Sequence, residues 1–214
     1  MKESKILITA ATGNVGMPLS RALNDKNISF TAATRDANAA AEKLGFQPET
    51  VYLDFKDPSG FSPALEGKKI LFLCGPSATP GAENLLIPLV EKAISSDVKH
   101  IVFIAPYPSI MEMIERSSLD YTFIKANFFM QNFEMYQTED IRVRNQIFLP
   151  TGNGKVPFIH ARDIGEVAAR IIEKPDNYKN QLLYITGPES LDHFEAAKIF
   201  SDVLGKKDYI YEPG

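Results

Sequence analysis

Ile6-Leu7-Ile8-Thr9-Ala10-Ala11-Thr12-Gly13-Asn14-Val15-Gly16 is the stretch on which the fold of this chain turns. A short apolar run ends in a glycine-containing turn, and helical sequence follows at once. Such a junction exposes backbone N–H groups and aims the positive end of a helix at one point, which suits an anion such as a phosphate. Spacing of the type Gly-x-x-Gly-x-x-Gly would place its first glycine at Ala10. That glycine serves the turn, the one at Gly13 lets the backbone approach phosphate, and the one at Gly16 lets the helix pack on the strand. If the turn needs a positive φ, Ala10 costs on the order of 1–2 kcal/mol, which strains the loop without abolishing it. A glycine-rich match alone is weak evidence, and its place on the first strand of a βαβ unit is what makes it strong.

Working outward, short β-branched and aromatic runs alternate with helical patterns. Strands are expected at Lys5–Thr9, Ser29–Thr34, Thr50–Leu53, Lys69–Cys74, Lys99–Ala105 and Tyr121–Lys125. Most are continuously apolar, as strands covered on both faces must be. Between them lie helices at Asn14–Asn27, Asp36–Gly45, Ala82–Ser96 and Ile110–Ser117, and a short turn at Pro63–Glu66. In the third of these helices Ala82, Leu85, Leu86, Leu89, Ala93 and Ile94 form one stripe. Strict β-α alternation predicts an α/β chain with a Rossmann-type, doubly wound parallel sheet and right-handed crossovers.

After residue 126 the rhythm changes, and residues 127–214 read as a small C-terminal α/β lobe packed on the 1–126 core. Asn127–Tyr136 is aromatic-rich, Thr138–Asn145 is a charged, mobile connection, and Thr151–Lys155 is a turn. A strand is expected at Val156–His160 and a helix at Asp163–Ile172 with Asp163 as its N-cap. A strand at Leu182–Thr186 and a helix at Leu191–Leu204, capped by Ser190 and stopped by Gly205, complete the chain.

The 214 residues suit one compact domain with a real core, 44% hydrophobic and 23% charged. A net charge of -4 gives no broad basic surface for nucleic acid, so none is expected as a partner. One cysteine excludes an intrachain disulfide framework and multi-Cys zinc sites, and His100, His160 and His193 show no metal spacing. No apolar run is long enough for a membrane helix, and Ile6–Ile8 is too short for a signal peptide, so a cytoplasmic location is expected.

The residues past the second strand set the choice of cofactor. An acidic residue there bonds a ribose 2′-hydroxyl, whereas an arginine accommodates a 2′-phosphate. Here Ala33-Thr34 leads into Arg35, and Asp36 caps the next helix, so NADP(H) is expected over NAD(H).

Four motifs in order then carry a resemblance: Ala11-Thr-Gly-Asn-Val-Gly16; Leu119-Asp-Tyr-Thr-Phe-Ile124 with Asn127-Phe-Phe-Met-Gln-Asn132; Val156-Pro-Phe-Ile-His-Ala-Arg-Asp-Ile-Gly-Glu-Val-Ala-Ala169; and Tyr184-Ile-Thr-Gly-Pro-Glu189. The chain resembles the NmrA-like family of atypical short-chain dehydrogenase/reductases along nearly its whole length. That family includes type 2 NAD(P)H:quinone oxidoreductases and NADP-sensing regulators. The resemblance implies that Thr12, Gly13, Asn14 and Val15, then Arg35, then Asp54 with Phe55 hold the adenine end of the cofactor. It implies that Cys74 and Gly75 follow the ribose and phosphate path. Lys125-Ala126 departs from the usual Arg-Pro, and Ala105-Pro106 replaces a common serine. The chain also stops at Gly214, where relatives continue into helices that close the substrate pocket. The pocket is then open or completed by another subunit, as in a homodimer.

Reductases of the wider superfamily use a Tyr and a Lys four residues on as proton-donating machinery. The tyrosine in the corresponding region is Tyr107, four residues before Met111, so that pair is absent and Tyr107 is a weak catalytic candidate. Two functions remain. One is hydride transfer to a quinone-like small acceptor beside Pro106, Tyr107, Asn127 and Phe128, where positioning does most of the work. The other is a non-catalytic NADP(H) sensor of NmrA type that binds a protein partner. Cys74 reads as a small apolar residue closing a buried strand.

Overall fold

The computed structural model describes residues 4–76, 81–104, 106–205 and 209–214. Ala105, the expected end of the fifth strand, lies outside these residues.

The sequence expected six parallel strands in the first part of the chain, and six are present: β1 (Ile6–Ile8), β2 (Thr31–Thr34), β3 (Glu49–Tyr52), β4 (Ile70–Leu73), β5 (His100–Ile104) and β6 (Asp120–Ala126). They continue past β7 (Gln146–Phe148) to β8 (Gln181–Ile185) in one seven-stranded sheet ordered β3-β2-β1-β4-β5-β6-β8. The pairs from β3 to β6 are parallel, with Leu7 opposite both Thr31 and Leu71. The order reverses between β1 and β4, the place where doubly wound sheets bind ligands.

Alternation of side chains explains why these strands are apolar throughout. Leu7, Leu71, Leu73, Ile101, Phe103 and Phe123 share one core with α3 (Phe61–Leu65), α4 (Ala82–Ile94) and α5 (Pro108–Glu115). Their neighbours Ile8, Ala32, Phe72, Val102 and Ile124 are fully buried and point to the opposite face. That face carries α1 (Gly16–Asp25) and α7 (Ala161–Glu173), whose backbones nearly touch: a Cβ on Gly165 would stand 2.8 Å from Leu19 N. α2 (Ala37–Leu44) starts at its Asp36 cap and stops at Gly45, where φ is +80°.

By contacts the chain forms two compact units, residues 1–125 with 162–184 and residues 126–161 with 185–214. The second unit is therefore not one contiguous C-terminal piece, because α7 and most of β8 go with the first sheet.

Within the second unit, α6 (Gln131–Tyr136) and α8 (His193–Leu204) pack around rings. Phe133, Ile147, Phe158, Ala196, Ala197 and Tyr211 form its buried core. β7 pairs in parallel with β9 (Ile210–Glu212), a two-stranded sheet too short to show as a sequence pattern. Val156–His160 is not a strand. Pro157 has no N–H for a ladder, and only isolated bridges form, Val156 with Leu191 and Ile159 with Phe129. Asp140–Arg144 within the charged connection forms a π-helical turn, with Arg144 paired to Asp140 and Glu139.

Two helix caps differ from expectation. α7 begins at Ala161, whose N–H donates to Gln131 Oε1 at 2.9 Å, so Asp163 sits inside the first turn instead of capping it. α8 is capped by Asp192, not Ser190: Asp192 accepts from Glu195 N, and Glu195 accepts from Asp192 N in a capping box.

Candidate functional site

The turn after β1 adopts the conformation that Ala10 resists. Ala10 has φ +49°, and Gly13 N donates to its carbonyl at 2.8 Å. Gly16 is fixed by close approach, since a Cβ there would lie 2.0 Å from Ala10 O and 2.7 Å from Ala10 C. A strained residue and a mandatory glycine thus bring the start of α1 against the end of β1. Val15, the N-cap of α1, offers no side-chain acceptor, and the first turn holds no acidic residue. Met17 N donates to Gly13 O at 2.9 Å and Pro18 has no N–H, so the Gly16 amide and the positive end of the helix are what α1 can offer an anion.

Beside this turn lies a pocket of about 490 Å³, within the size range of small-molecule sites. Ala10 and Thr12 bound one side, Ala33 to Asp36 follow from the end of β2, and Leu53 to Lys56 follow from the end of β3. Gly75 and Pro76 come from the end of β4. Of the residues expected to hold cofactor, Thr12, Arg35, Asp54, Phe55 and Gly75 line it together, while Gly13, Asn14, Val15 and Cys74 do not. Gly75 has its own constraint: a Cβ there would meet Leu86 Cδ1 at 2.7 Å.

The carboxylates at the rim are already engaged. Asp36 Oδ1 accepts from Asn38 N at 2.9 Å and Ala39 N at 3.1 Å, the capping role expected of it. Asp54 Oδ1 accepts from Lys56 N at 2.9 Å. The cations are not engaged in this way. Arg35 and two lysines that the sequence reading missed, Lys43 and Lys56, line the same pocket, and none is ion-paired to another described residue. Helical periodicity was the available signal for Lys43: Ala39, Ala40 and Lys43 recur on the pocket side of α2, one turn apart. The two alanines leave a shallow apolar floor, with Phe55 and Leu85 also in the lining.

At the C-terminal ends of β4 and β5 the chemistry is different. Thr9 Oγ1 donates to the Cys74 carbonyl and accepts from Cys74 N, which clamps β1 to β4. Burial pushes the Cys74 thiol up to about 11, so it stays a neutral thiol and a poor nucleophile near pH 7. Tyr107 is half-buried at the N-cap of α5. Its phenol is raised above the ordinary value by burial first, then by the Glu83 carboxylate and Cys74. Pro106 beside it is exposed.

Asn127 and Phe128 belong to the second unit. Asn127 is exposed, while the Phe128 ring packs at 5.3 Å from Phe158, 5.5 Å from Phe133 and 5.7 Å from His193. His193 is fully buried among these rings, with Nδ1 2.8 Å from Thr151 Oγ1 and Nε2 without a partner. Among the described residues no three His, Cys, Asp or Glu side chains group as metal ligands would, and no helix is long and apolar enough to cross a membrane.

The sheet order, the uncapped helix start and the cationic pocket together define a dinucleotide-binding protein of Rossmann type. The profile of an NAD(P)H-binding family matches residues 10–109, and that of the NmrA-like family matches residues 107–211. An NAD(P)H azoreductase of Xenophilus azovorans is 31% identical over 94% of this chain and 74% of its own length. The chain belongs to the NmrA-like family of NAD(P)H-binding proteins, among its NAD(P)H-dependent oxidoreductases. The fold is shared with an NADPH-dependent quinone oxidoreductase of Escherichia coli, at TM-score 0.82 and 19% identity over 97% of this chain and 77% of that one. It is shared equally with a triphenylmethane reductase of Citrobacter, at TM-score 0.80 and 21% identity over 98% and 78%.

Proposed function

We propose that the chain is a reductase that prefers NADPH to NADH and serves a small conjugated acceptor of the quinone, azo or triarylmethane kind. The observation that carries the cofactor preference is the set of three unpaired cations, Arg35, Lys43 and Lys56, around one pocket. A 2′-phosphate carries close to two negative charges, and it suits a place where three cations converge and the carboxylate of Asp36 is already used as a cap. Ala39, Ala40, Phe55 and Leu85 fit the flat adenine ring, and the positive end of α1 with its Gly16 amide fits the pyrophosphate. When bound, the cofactor supplies the two-electron chemistry, and the protein supplies position and field. Pro106 and Tyr107, after β5, are the candidates for the acceptor side in this reading.

Calorimetric titration tests the preference. NADPH should bind at least about tenfold tighter than NADH. Arg35→Ala should remove most of that gap, since a charge-assisted hydrogen bond is worth about 1.5–3 kcal/mol, roughly ten- to a hundredfold in Kd. Equal affinities for the two cofactors in the unaltered protein would overturn the reading. Tight NADPH binding without turnover of any acceptor would instead favour a sensor.

A further inference from the structure

Glu83 stands in the first turn of α4, and its Oε2 accepts a 2.9 Å hydrogen bond from Ser109 Oγ in the first turn of α5. Because α4 follows β4 and α5 follows β5, this pair bridges the C-terminal ends of those two strands. The adenosine-sized pocket lies on the β1-β2-β3 side of the switch point. In a doubly wound sheet the second half of a dinucleotide crosses to the other side, over β4 and β5. A carboxylate tethered from a second helix is therefore fixed on the side where the acceptor must approach. Glu83 forms no ion pair with another described residue, and no cation figures among the groups that act on neighbouring Tyr107.

We infer that Glu83 selects the acceptor by charge, so that the site takes cationic conjugated acceptors, of the carbocation or iminium type, ahead of neutral or anionic ones. This rests on the reductase reading above and deepens it. The proton balance points the same way. A cationic acceptor gains one hydride from NADPH, two electrons and a proton together, on its electron-poor carbon. The new C–H bond discharges the cation, NADP+ is the other product, and no further proton is required. A neutral quinone taking the same hydride becomes a hydroquinone anion and needs a proton from elsewhere. The groups at this end supply one poorly: the Tyr107 phenol and the Cys74 thiol are both held above their ordinary values, and Met111 stands where a proton-relaying lysine would be. A fixed negative charge also favours the approach of a cation electrostatically, an effect that salt weakens.

The experiment uses the full chain and its Glu83→Gln and Glu83→Asp forms. NADPH oxidation is followed with a cationic triarylmethane dye, neutral 1,4-benzoquinone and a sulfonated naphthoquinone at low and high ionic strength. Dye binding is measured separately by fluorescence titration without cofactor. Glu83→Gln should lower kcat/KM for the cationic dye about tenfold more than for benzoquinone. It should weaken dye binding by a similar factor and improve the sulfonated acceptor, while Glu83→Asp should restore much of the dye binding. High salt should shrink these differences. Equal losses with all three acceptors, or dye binding indifferent to Glu83, would overturn the inference while leaving the reductase reading intact. Loss of NADPH preference or absence of turnover with every acceptor would overturn the reductase reading, and this inference with it.

Discussion

In the unit built on the seven-stranded sheet, the decisive contacts lie between main-chain atoms: Gly16 against the Ala10 carbonyl, Gly165 against Leu19 N, and parallel ladders from β3 to β6. The second unit has a two-stranded sheet of three residues a side and relies on rings. Phe128, Phe133, Phe158 and Tyr211 surround His193, all with centroids 5.4 to 6.1 Å from its imidazole. Main-chain contacts tolerate no added atom, because backbone cannot yield as a side chain can. Ring clusters can shift, but they bury polar groups within them, here a histidine with one nitrogen unpartnered. The two units should therefore fail in different ways.

The harshest way to break the first unit is Gly16→Ala. The added carbon would fall 2.0 Å from Ala10 O and 2.9 Å from Ala11 Cα, so the turn must open. We expect a loss of at least about 4 kcal/mol of stability, the range of severe core lesions, and loss of NADPH binding. Urea unfolding and cofactor titration would show it. A variant that melts like the parent and still binds NADPH would mean that α1 does not need this approach.

Acid sharpens the comparison with a moderate effect. Burial depresses the pKa of His193 in the second unit and of His100 in the first, the latter held 2.8 Å from Thr122 Oγ1. A histidine with a folded pKa below its unfolded value of about 6.5 binds fewer protons when folded. Its stabilisation is complete above about pH 6.5 and is lost as pH falls from there toward the folded pKa. Each such group contributes at most about 1.4 kcal/mol per pH unit. The carboxylates with lowered pKa, such as Glu173 and Glu195, act at lower pH and leave this window to the histidines. Melting temperature should thus fall between pH 7 and 5.5, and His193→Gln should remove part of that fall. A flat profile from pH 7 to 5.5 in the unaltered protein would contradict the burial of both imidazoles in neutral form.

The smallest effect is Ala10→Gly. It removes the cost of φ +49° at an alanine, about 1–2 kcal/mol, against an unfolded-state entropy penalty of about 0.4–1 kcal/mol. The net should be a gain of about 0.5–1 kcal/mol, a rise in melting temperature of a few degrees. A fall would show that Ala10 makes contacts worth more than its strain.

Legibility followed the same division between the units. The first unit could be read because buried parallel strands must be continuously apolar, as Ile6–Ile8 and Ile70–Leu73 are, and because Gly13, Gly16 and Arg35 sit at fixed offsets from strand ends. The second could not, since the sequence signal of β7 and β9 is three residues each. Phe128, expected beside the acceptor, joins a ring cluster with Phe133, Phe158 and His193 that no local spacing announces. Lys43 and Lys56 were missed for a related reason: a lysine on a helix or after a strand looks like any solvated charge. Only the convergence of α2 and the β3 end on one pocket gives the two lysines a shared target.

By itself the sequence determined the order of strands and helices in the first unit, the glycine-containing turn after β1 and the cation after β2, because each follows from local backbone chemistry and short-range spacing. Tertiary structure alone decided which distant groups meet. It brought Glu83 to Ser109 across two helices, drew Lys43 and Lys56 to the pocket of Arg35, and returned Arg162–Tyr184 to the first unit. Those meetings depend on how buried faces pack, and packing sums contacts over the whole chain, so no single stretch encodes them.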